Sequence, residues 1–292
     1  MCKFRLIITI KKTGTQKMTI NCKGQLIDLS TPKVMGILNL TPDSFFDGGR
    51  YKYQHDILKQ VEKMLTEGAT FIDMGAYSSR PGADDISMEE EKSRMLPMVT
   101  LLQKEFPDSI LSIDTFRSEI AEACIELGAA MINDISAGKL DPLMLSTISK
   151  LQVPYIMMHM RGTPQTMKTL DQYEDIIKEV RYYFSERIAA ARALSIHDVI
   201  IDPGFGFAKN IQQNYTVLKN LEAFQHLELP ILAGLSRKSM IYKTLDTNPK
   251  EALNGTSVLN TIALQKGATI LRVHDVKEAK ETIRLLEALD VN

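Results

Sequence analysis

Three cysteines in 292 residues, Cys2, Cys22 and Cys124, form an odd and widely spaced set. That excludes a disulfide framework or a thiolate zinc site and points to a reducing cytoplasm. No apolar run approaches the roughly 20 residues that a membrane-spanning helix needs. The opening stretch, residues 4–10, is too short for a signal segment and lacks a small-residue cleavage signature. With 35 lysines and arginines against 36 aspartates and glutamates, the net charge of −1 gives no basic field for nucleic acid or an anionic membrane. Any bound anion must therefore be held by a few well-placed cations. Internal repeats, low-complexity tracts and a glycine-rich dinucleotide fingerprint are all missing. What is there is an ordinary globular composition, 44% hydrophobic and 24% charged, able to bury a large core.

Eight short apolar stretches recur at intervals that fit one strand plus one helix. Strands are expected over residues 34–38, 70–74, 110–113, 131–132, 155–158, 199–201, 231–233 and 269–273. Helices are expected over 56–67, 88–105, 118–127, 172–193, a segment ending near 224, 254–265 and 276–289. Gly68, Gly128 and Gly267 stand where helices should stop. Nearly every apolar stretch closes in polar residues: Asn39, Asp73, Asp114, Asp134, His159, Asp202, the run Ser236-Arg237-Lys238-Ser239, and Arg272 with His274. Polar groups gathered at the downstream ends of aliphatic strands are the pattern of a (β/α)8 TIM barrel, an α/β fold with its ligand site on the C-terminal face. A doubly wound sheet is the rival, and it lacks its fingerprint here. Residues 1–17 read as an N-terminal extension, or as the first arm of a hairpin that turns at Thr13-Gly14-Thr15 and pairs residues 5–10 with 18–22. Residues 18–292 are expected to form the barrel domain.

Closing the barrel would bring Asp114, Asn133 and Asp202 from three strands into one cavity. Carboxylates and amides bond in flat, paired patterns that suit the edge of an amino-pyrimidinone ring. Each could instead cap the helix that follows it; three above one barrel favour a ligand. In Ser236-Arg237-Lys238-Ser239 two cations stand between two hydroxyls directly after a buried strand. Lys238 suits an exocyclic oxygen or a ring nitrogen and Ser239 a small carboxylate, the alternative being a capped helix start with solvated charges. Asn39, Arg80, Arg272 and His274 lie at strand ends or in the loops after them. Arginine forks match phosphate oxygens, and an asparagine oxygen can be one ligand of a Mg²⁺ ion otherwise held by diphosphate and water. Phe205 reads as core and Phe207 as one wall for an aromatic substrate. His159 is open between the two roles.

Seven segments follow in order: Val34-Met35-Gly36-Ile37-Leu38-Asn39-Leu40-Thr41-Pro42-Asp43-Ser44-Phe45, Ser78-Ser79-Arg80-Pro81-Gly82, Ser112-Ile113-Asp114-Thr115, Asn133-Asp134-Ile135-Ser136, Asp202-Pro203-Gly204-Phe205-Gly206-Phe207, Ser236-Arg237-Lys238-Ser239 and Arg272-Val273-His274-Asp275. Together they resemble the signature segments of the dihydropteroate synthase family, pterin-binding enzymes of the folate pathway. The resemblance runs from about residue 18 to the C-terminus. It implies condensation of a hydroxymethyl-dihydropterin diphosphate with p-aminobenzoate, by dissociative substitution, in tetrahydrofolate synthesis.

The resemblance also implies roles. Asp114, Asn133, Asp202 and Lys238 would hold the pterin, and Asn39, Ser79, Arg80, Arg272 and His274 would surround the diphosphate and Mg²⁺. Ser239, Phe207 and Pro81 would receive the aminobenzoate, and Asp47 would join the metal from a closing loop. Asp114, Lys238 and Arg272 would carry the catalytic charges. A cytoplasmic homodimer and a sulfonamide target are implied as well. One departure is visible: Ala76-Tyr77-Ser78-Ser79-Arg80 stands where many relatives have a glutamate and a threonine before the arginine, and Ser79 keeps the hydroxyl. Two other functions share parts of this pattern. A pterin-binding methyltransferase has no diphosphate to hold, and a silent pterin-binding protein has no need of the cations.

Overall fold

A computed structural model describes residues 18–40, 50–77 and 86–289. The N-terminal extension and the candidate residues Asp47, Ser79, Arg80 and Pro81 lie outside the described residues. The first described element is a hairpin. β1 (Thr19–Cys22) pairs antiparallel with β2 (Gln25–Asp28). The turn between them, Lys23-Gly24, has φ of +55° and +83°, the two left-handed positions that a two-residue hairpin turn needs. The strand at 19–22 has a described partner just downstream, and the upstream partner expected at 5–10 lies outside the described residues.

The eight strands that follow are β3 (Lys33–Asn39), β4 (Phe71–Gly75), β5 (Ile110–Asp114), β6 (Met131–Asp134), β7 (Tyr155–Met158), β8 (Val199–Asp202), β9 (Leu232–Ala233) and β10 (Ile270–Val273). All pair in parallel, in the order β8-β7-β6-β5-β4-β3-β10-β9. A parallel bridge between Ile201 and Ile231 joins the two ends into a barrel.

Residues alternate across each strand, and the two sides bury against different layers. Val34, Ile72, Leu111, Ile132, Ile201 and Leu271 belong to the large cluster shared with the surrounding helices. Met35, Phe71, Ile110, Met131, Ile156, Ile200, Leu232 and Ile270 form an interior floor. Ile20, Cys22, Ile27 and Leu29 belong to the same cluster, so the hairpin covers the floor from the N-terminal end.

The helices are α1 (Arg50–Thr66), α2 (Met88–Glu105), α3 (Ser118–Glu126), α4 (Met144–Leu151), α5 (Ile176–Ala193), α6 (Ile211–Lys219), α7 (Ser239–Tyr242), α8 (Leu253–Gln265) and α9 (Val276–Leu289). α2 starts where Ser87 accepts from the Glu90 amide. α5 starts four residues later than its apolar spacing suggests, because Asp175 caps it by accepting from the amides of Ile177 and Lys178. α4 has no counterpart among the expected helices: it is only 8 residues long and has no side-chain cap to announce it.

Candidate active site

Two residues beyond the apolar floor, the same interior-facing positions turn polar. From Phe71 the step leads to Asp73, from Ile110 to Ser112, from Met131 to Asn133, from Ile200 to Asp202 and from Ile270 to Arg272. One further step on β5 reaches Asp114. All of these polar side chains but Asp202 are bonded into one network. Arg272 donates from Nε to Asp73 Oδ2 at 2.6 Å and from Nη2 to Asp114 Oδ2 at 2.7 Å. Asn133 Nδ2 donates to Asp73 Oδ2 at 3.0 Å, and Ser112 Oγ donates to Asp73 Oδ1 at 2.6 Å. The capping alternative fails for Asp114, Asn133 and Asp202: α3, α4 and α6 are entered at Arg117, Leu143 and Asn210.

A second group faces this one. Asp202 accepts from the Gly204 amide at 2.7 Å, and Lys238 donates from Nζ to the Phe205 carbonyl oxygen. The Lys238 ammonium lies 5.0 Å from the centre of the Phe207 ring, within cation–π range. A β-carbon placed on Gly234 would lie 3.7 Å from Lys238 Nζ and 3.9 Å from Asp202 Oδ2, so the missing side chain leaves space where both groups meet. Gly206, at φ +82°, lets the chain pass against the Lys238 stem. Phe205 is fully buried, as expected for core, and Phe207 is half-buried at the site.

Burial sets the electrostatics. It pushes the Asp114 carboxyl up to about 7; Arg272 opposes the rise, and Asp73, Glu91 and Asp134 add to it. Asp202 is raised by burial too, against the pull of Lys238. Lys238 is lowered to about 8 by burial, held up by Asp202 and lowered further by Arg272. Burial alone would lower Arg272, but Asp73 and Asp114 outweigh it and keep the guanidinium charged.

Other candidates lie at the rim. Asn39 ends β3 beside Gly75, whose missing β-carbon would contact Asp114 at 3.5 Å. His274 is exposed and shares a hydrogen bond between Nδ1 and Ser236 Oγ at 2.9 Å. Ser239 opens α7. Arg237 turns away from the site: it holds Asp275 with two bonds of 2.8 and 2.9 Å and the carbonyl oxygens of Pro249 and Lys250. Of the two cations in that run, only Lys238 faces the cavity.

Asp134 sits at a strand end like the others but on the outward side of β6. Its oxygens accept from Ser136, from the Gly138 amide and from Tyr155 Oη at 2.6–2.7 Å, so it braces a loop. His159 packs against a loop. It is buried, and its Nδ1 meets Lys209 Nζ at 2.9 Å, while the same ammonium donates to the carbonyls of Gly204 and Phe207. Lys209, tying down the loop that carries Phe207, and Asp73, at the centre of the first group, have no role in the sequence reading. Asp73 had a signal: it falls in phase with Asn133 and Arg272 when each strand is read every second residue.

The family model described as "Pterin binding enzyme" matches residues 35–274. The dihydropteroate synthase of Escherichia coli K12 is 43% identical over 93% of this chain and 96% of its own. A Yersinia pestis dihydropteroate synthase solved as a sulfonamide drug complex is 40% identical and superposes with a TM-score of 0.88, over 94% of this chain and 100% of that one. A Xanthomonas albilineans dihydropteroate synthase solved with 4-aminobenzoic acid gives 0.87 at 36% identity, over 95% and 100%. With the barrel, the polar interior layer and these matches in agreement, the chain belongs to the dihydropteroate synthase family of pterin-binding enzymes.

Proposed function

We infer that this protein is a transferase of folate biosynthesis. It condenses 6-hydroxymethyl-7,8-dihydropterin diphosphate with p-aminobenzoate to give 7,8-dihydropteroate and pyrophosphate. The observation that carries this reading is the polar layer itself. Asp114, Asn133 and Asp202 converge from three strands, one half-buried ammonium stands across from them, and an arginine spans from the floor of the site to Asp114. A donor-rich amino-pyrimidinone edge with one carbonyl answers that set, the carboxylates accepting from its amine and ring N–H and Lys238 donating to its oxygen. Phe207 gives an aromatic wall beside Lys238 for the second substrate, and Ser239 a hydroxyl for its carboxylate.

Charge supplies the chemistry. The exocyclic C–O bond breaks as the diphosphate leaves, and Arg272 and His274, with Arg80 from outside the described residues, stabilise the departing anion. Asp114 and Asp202 stabilise the cationic pterin left behind. The aniline nitrogen is neutral at physiological pH and attacks without a strong base. Asn39 offers a single neutral oxygen at the rim, and no group of three or more His, Cys, Asp or Glu capable of holding a metal occurs among the described residues. That donor set fits a Mg²⁺ ion carried mainly by diphosphate and water, with Asn39 and Asp47 as its protein ligands. The ion would neutralise charge on the leaving group.

No helix of the described residues is long and apolar enough to cross a membrane. The buried free thiols of Cys22 and Cys124 suit a reducing cytoplasm. Exposed Val258 on α8 and Leu285 on α9 favour a homodimer through the C-terminal helices. Dihydropteroate formation with sustained pyrophosphate release by the purified protein tests the central claim: steady turnover should require both substrates and Mg²⁺. No dihydropteroate with both present, or steady release that the aminobenzoate does not change, overturns it.

A further inference from the structure

We propose that Asp73 is a positioning residue for this reaction, fixing which face of the Asn133 amide meets the pterin and where the Arg272 guanidinium pivots; this rests on the reading above. Asp73 is fully buried, so it cannot touch a ligand itself. Its carboxylate receives three donors from three different strands: Ser112 on β5 at 2.6 Å, Asn133 on β6 at 3.0 Å and Arg272 on β10 at 2.6 Å.

A carboxylate can only accept, so Asn133 has no choice of orientation. Its NH₂ must face Asp73 and its carbonyl oxygen must face away. Asparagine can otherwise offer either a donor or an acceptor, and Asp73 removes that ambiguity. The pterin-facing edge then presents acceptors at Asp114, Asn133 and Asp202 and a donor at Lys238. An amide turned over at Asn133 would set a donor against a donor on the substrate, which is how a polar site rejects a wrong partner.

For Arg272 the two carboxylates are not equivalent. Asp73 is fully buried and holds Nε, next to the side-chain stem, whereas Asp114 is 12% exposed and holds Nη2, at the outer end of the fork. An anionic ligand can therefore take over Nη2 while Nε stays on Asp73. Asp73 keeps the guanidinium aimed as its outer bonds are exchanged.

The test is a kinetic cycle in the full-length protein. Asp73→Asn can donate as well as accept and frees the Asn133 amide to turn. It should raise KM for the pterin diphosphate at least tenfold through Asn133 and lower kcat at least tenfold through Arg272. In an Asn133→Ala background, the KM effect of Asp73→Asn should shrink to less than twofold while the kcat effect persists. A purely structural role predicts the same fold-loss in both backgrounds, and that result, or wild-type constants for Asp73→Asn, overturns the proposal. If Asp73→Asn does not fold, Ser112→Ala decides: with one donor lost from Asp73, it should raise pterin KM about threefold alone and not at all with Asn133→Ala. Equal effects in the two backgrounds refute it. Absence of turnover in the unmodified protein would instead strike at the proposed function.

Discussion

Phe71 and Asp73 stand two residues apart on β4 and face the same interior, yet one is enclosed by apolar side chains and the other by three hydrogen-bond donors. The difference runs around the barrel. The lower layer is Met35, Phe71, Ile110, Met131, Ile156, Ile200, Leu232 and Ile270, closed from below by the hairpin. The upper layer is Asp73, Ser112, Asn133, Asp202 and Arg272. Packing without directional bonds tolerates exchange of similar shapes, whereas a buried polar layer is sound only when each group has its partner. Stability should therefore respond to the lower layer, and chemistry to the upper.

The sharpest break of that comparison is a pair of alanine substitutions. Phe71→Ala leaves a cavity under the site and should cost about 3–5 kcal/mol of unfolding free energy. Its folded fraction should turn over at near the normal rate. Denaturant titration and kcat on the same preparation check this; unchanged stability with lost activity would reverse the assignment of the layers. Arg272→Ala should act in the other sense, costing about 2–4 kcal/mol of transition-state stabilisation, or about 30- to 1000-fold in kcat/KM. It also leaves Asp73 buried without its counter-ion, so some loss of stability is expected. Near-normal turnover of the variant would remove Arg272 from the mechanism.

The two layers were also unequally legible. The lower layer is written in aliphatic runs, and β7, α2 and α9 fall on the residues that spacing and stop signals indicate. α4 escaped because eight residues without a side-chain cap give little periodicity. In the upper layer, the last polar residue of each strand is easy to see, and Asp114, Asn133, Asp202, Lys238 and Arg272 do meet. Ends alone do not rank these residues: Asp134 closes its stretch and ends β6 but faces outward, whereas Asp73 closes its stretch and faces inward, below Gly75 at the end of β4. Parity separates them, since Asp73 is in phase with the interior Phe71 and Asp134 is out of phase with the interior Met131. Lys209 had no such signal: its bonds to His159 and the backbone of its own loop depend on the fold of that loop.

Titration sharpens the comparison with smaller effects, because only the upper layer carries charge. The competent site needs Asp114 ionised to accept from the pterin and Lys238 protonated to donate. With Asp114 near 7 and Lys238 near 8, kcat/KM should rise up to about pH 7, fall above about pH 8, and change about tenfold per unit beyond each limb. That is about 1.4 kcal/mol per unit. Folding stability should move the other way on the acid side. Asp114 holds its proton more tightly in the folded state than an ordinary aspartate at 3.8, so its contribution favours the fold at low pH and is lost as pH rises from 3.8 to about 7. Lys238 holds its proton less tightly than at 10.5; its cost to the fold is full below about 8 and disappears as pH rises through that window to 10.5. Asp114→Asn should abolish the acid limb of kcat/KM, apart from any part that belongs to the substrate diphosphate, and should flatten the stability profile below pH 7. An Asp114→Asn variant that keeps both the limb and the stability slope would show that the charge on this layer is set elsewhere.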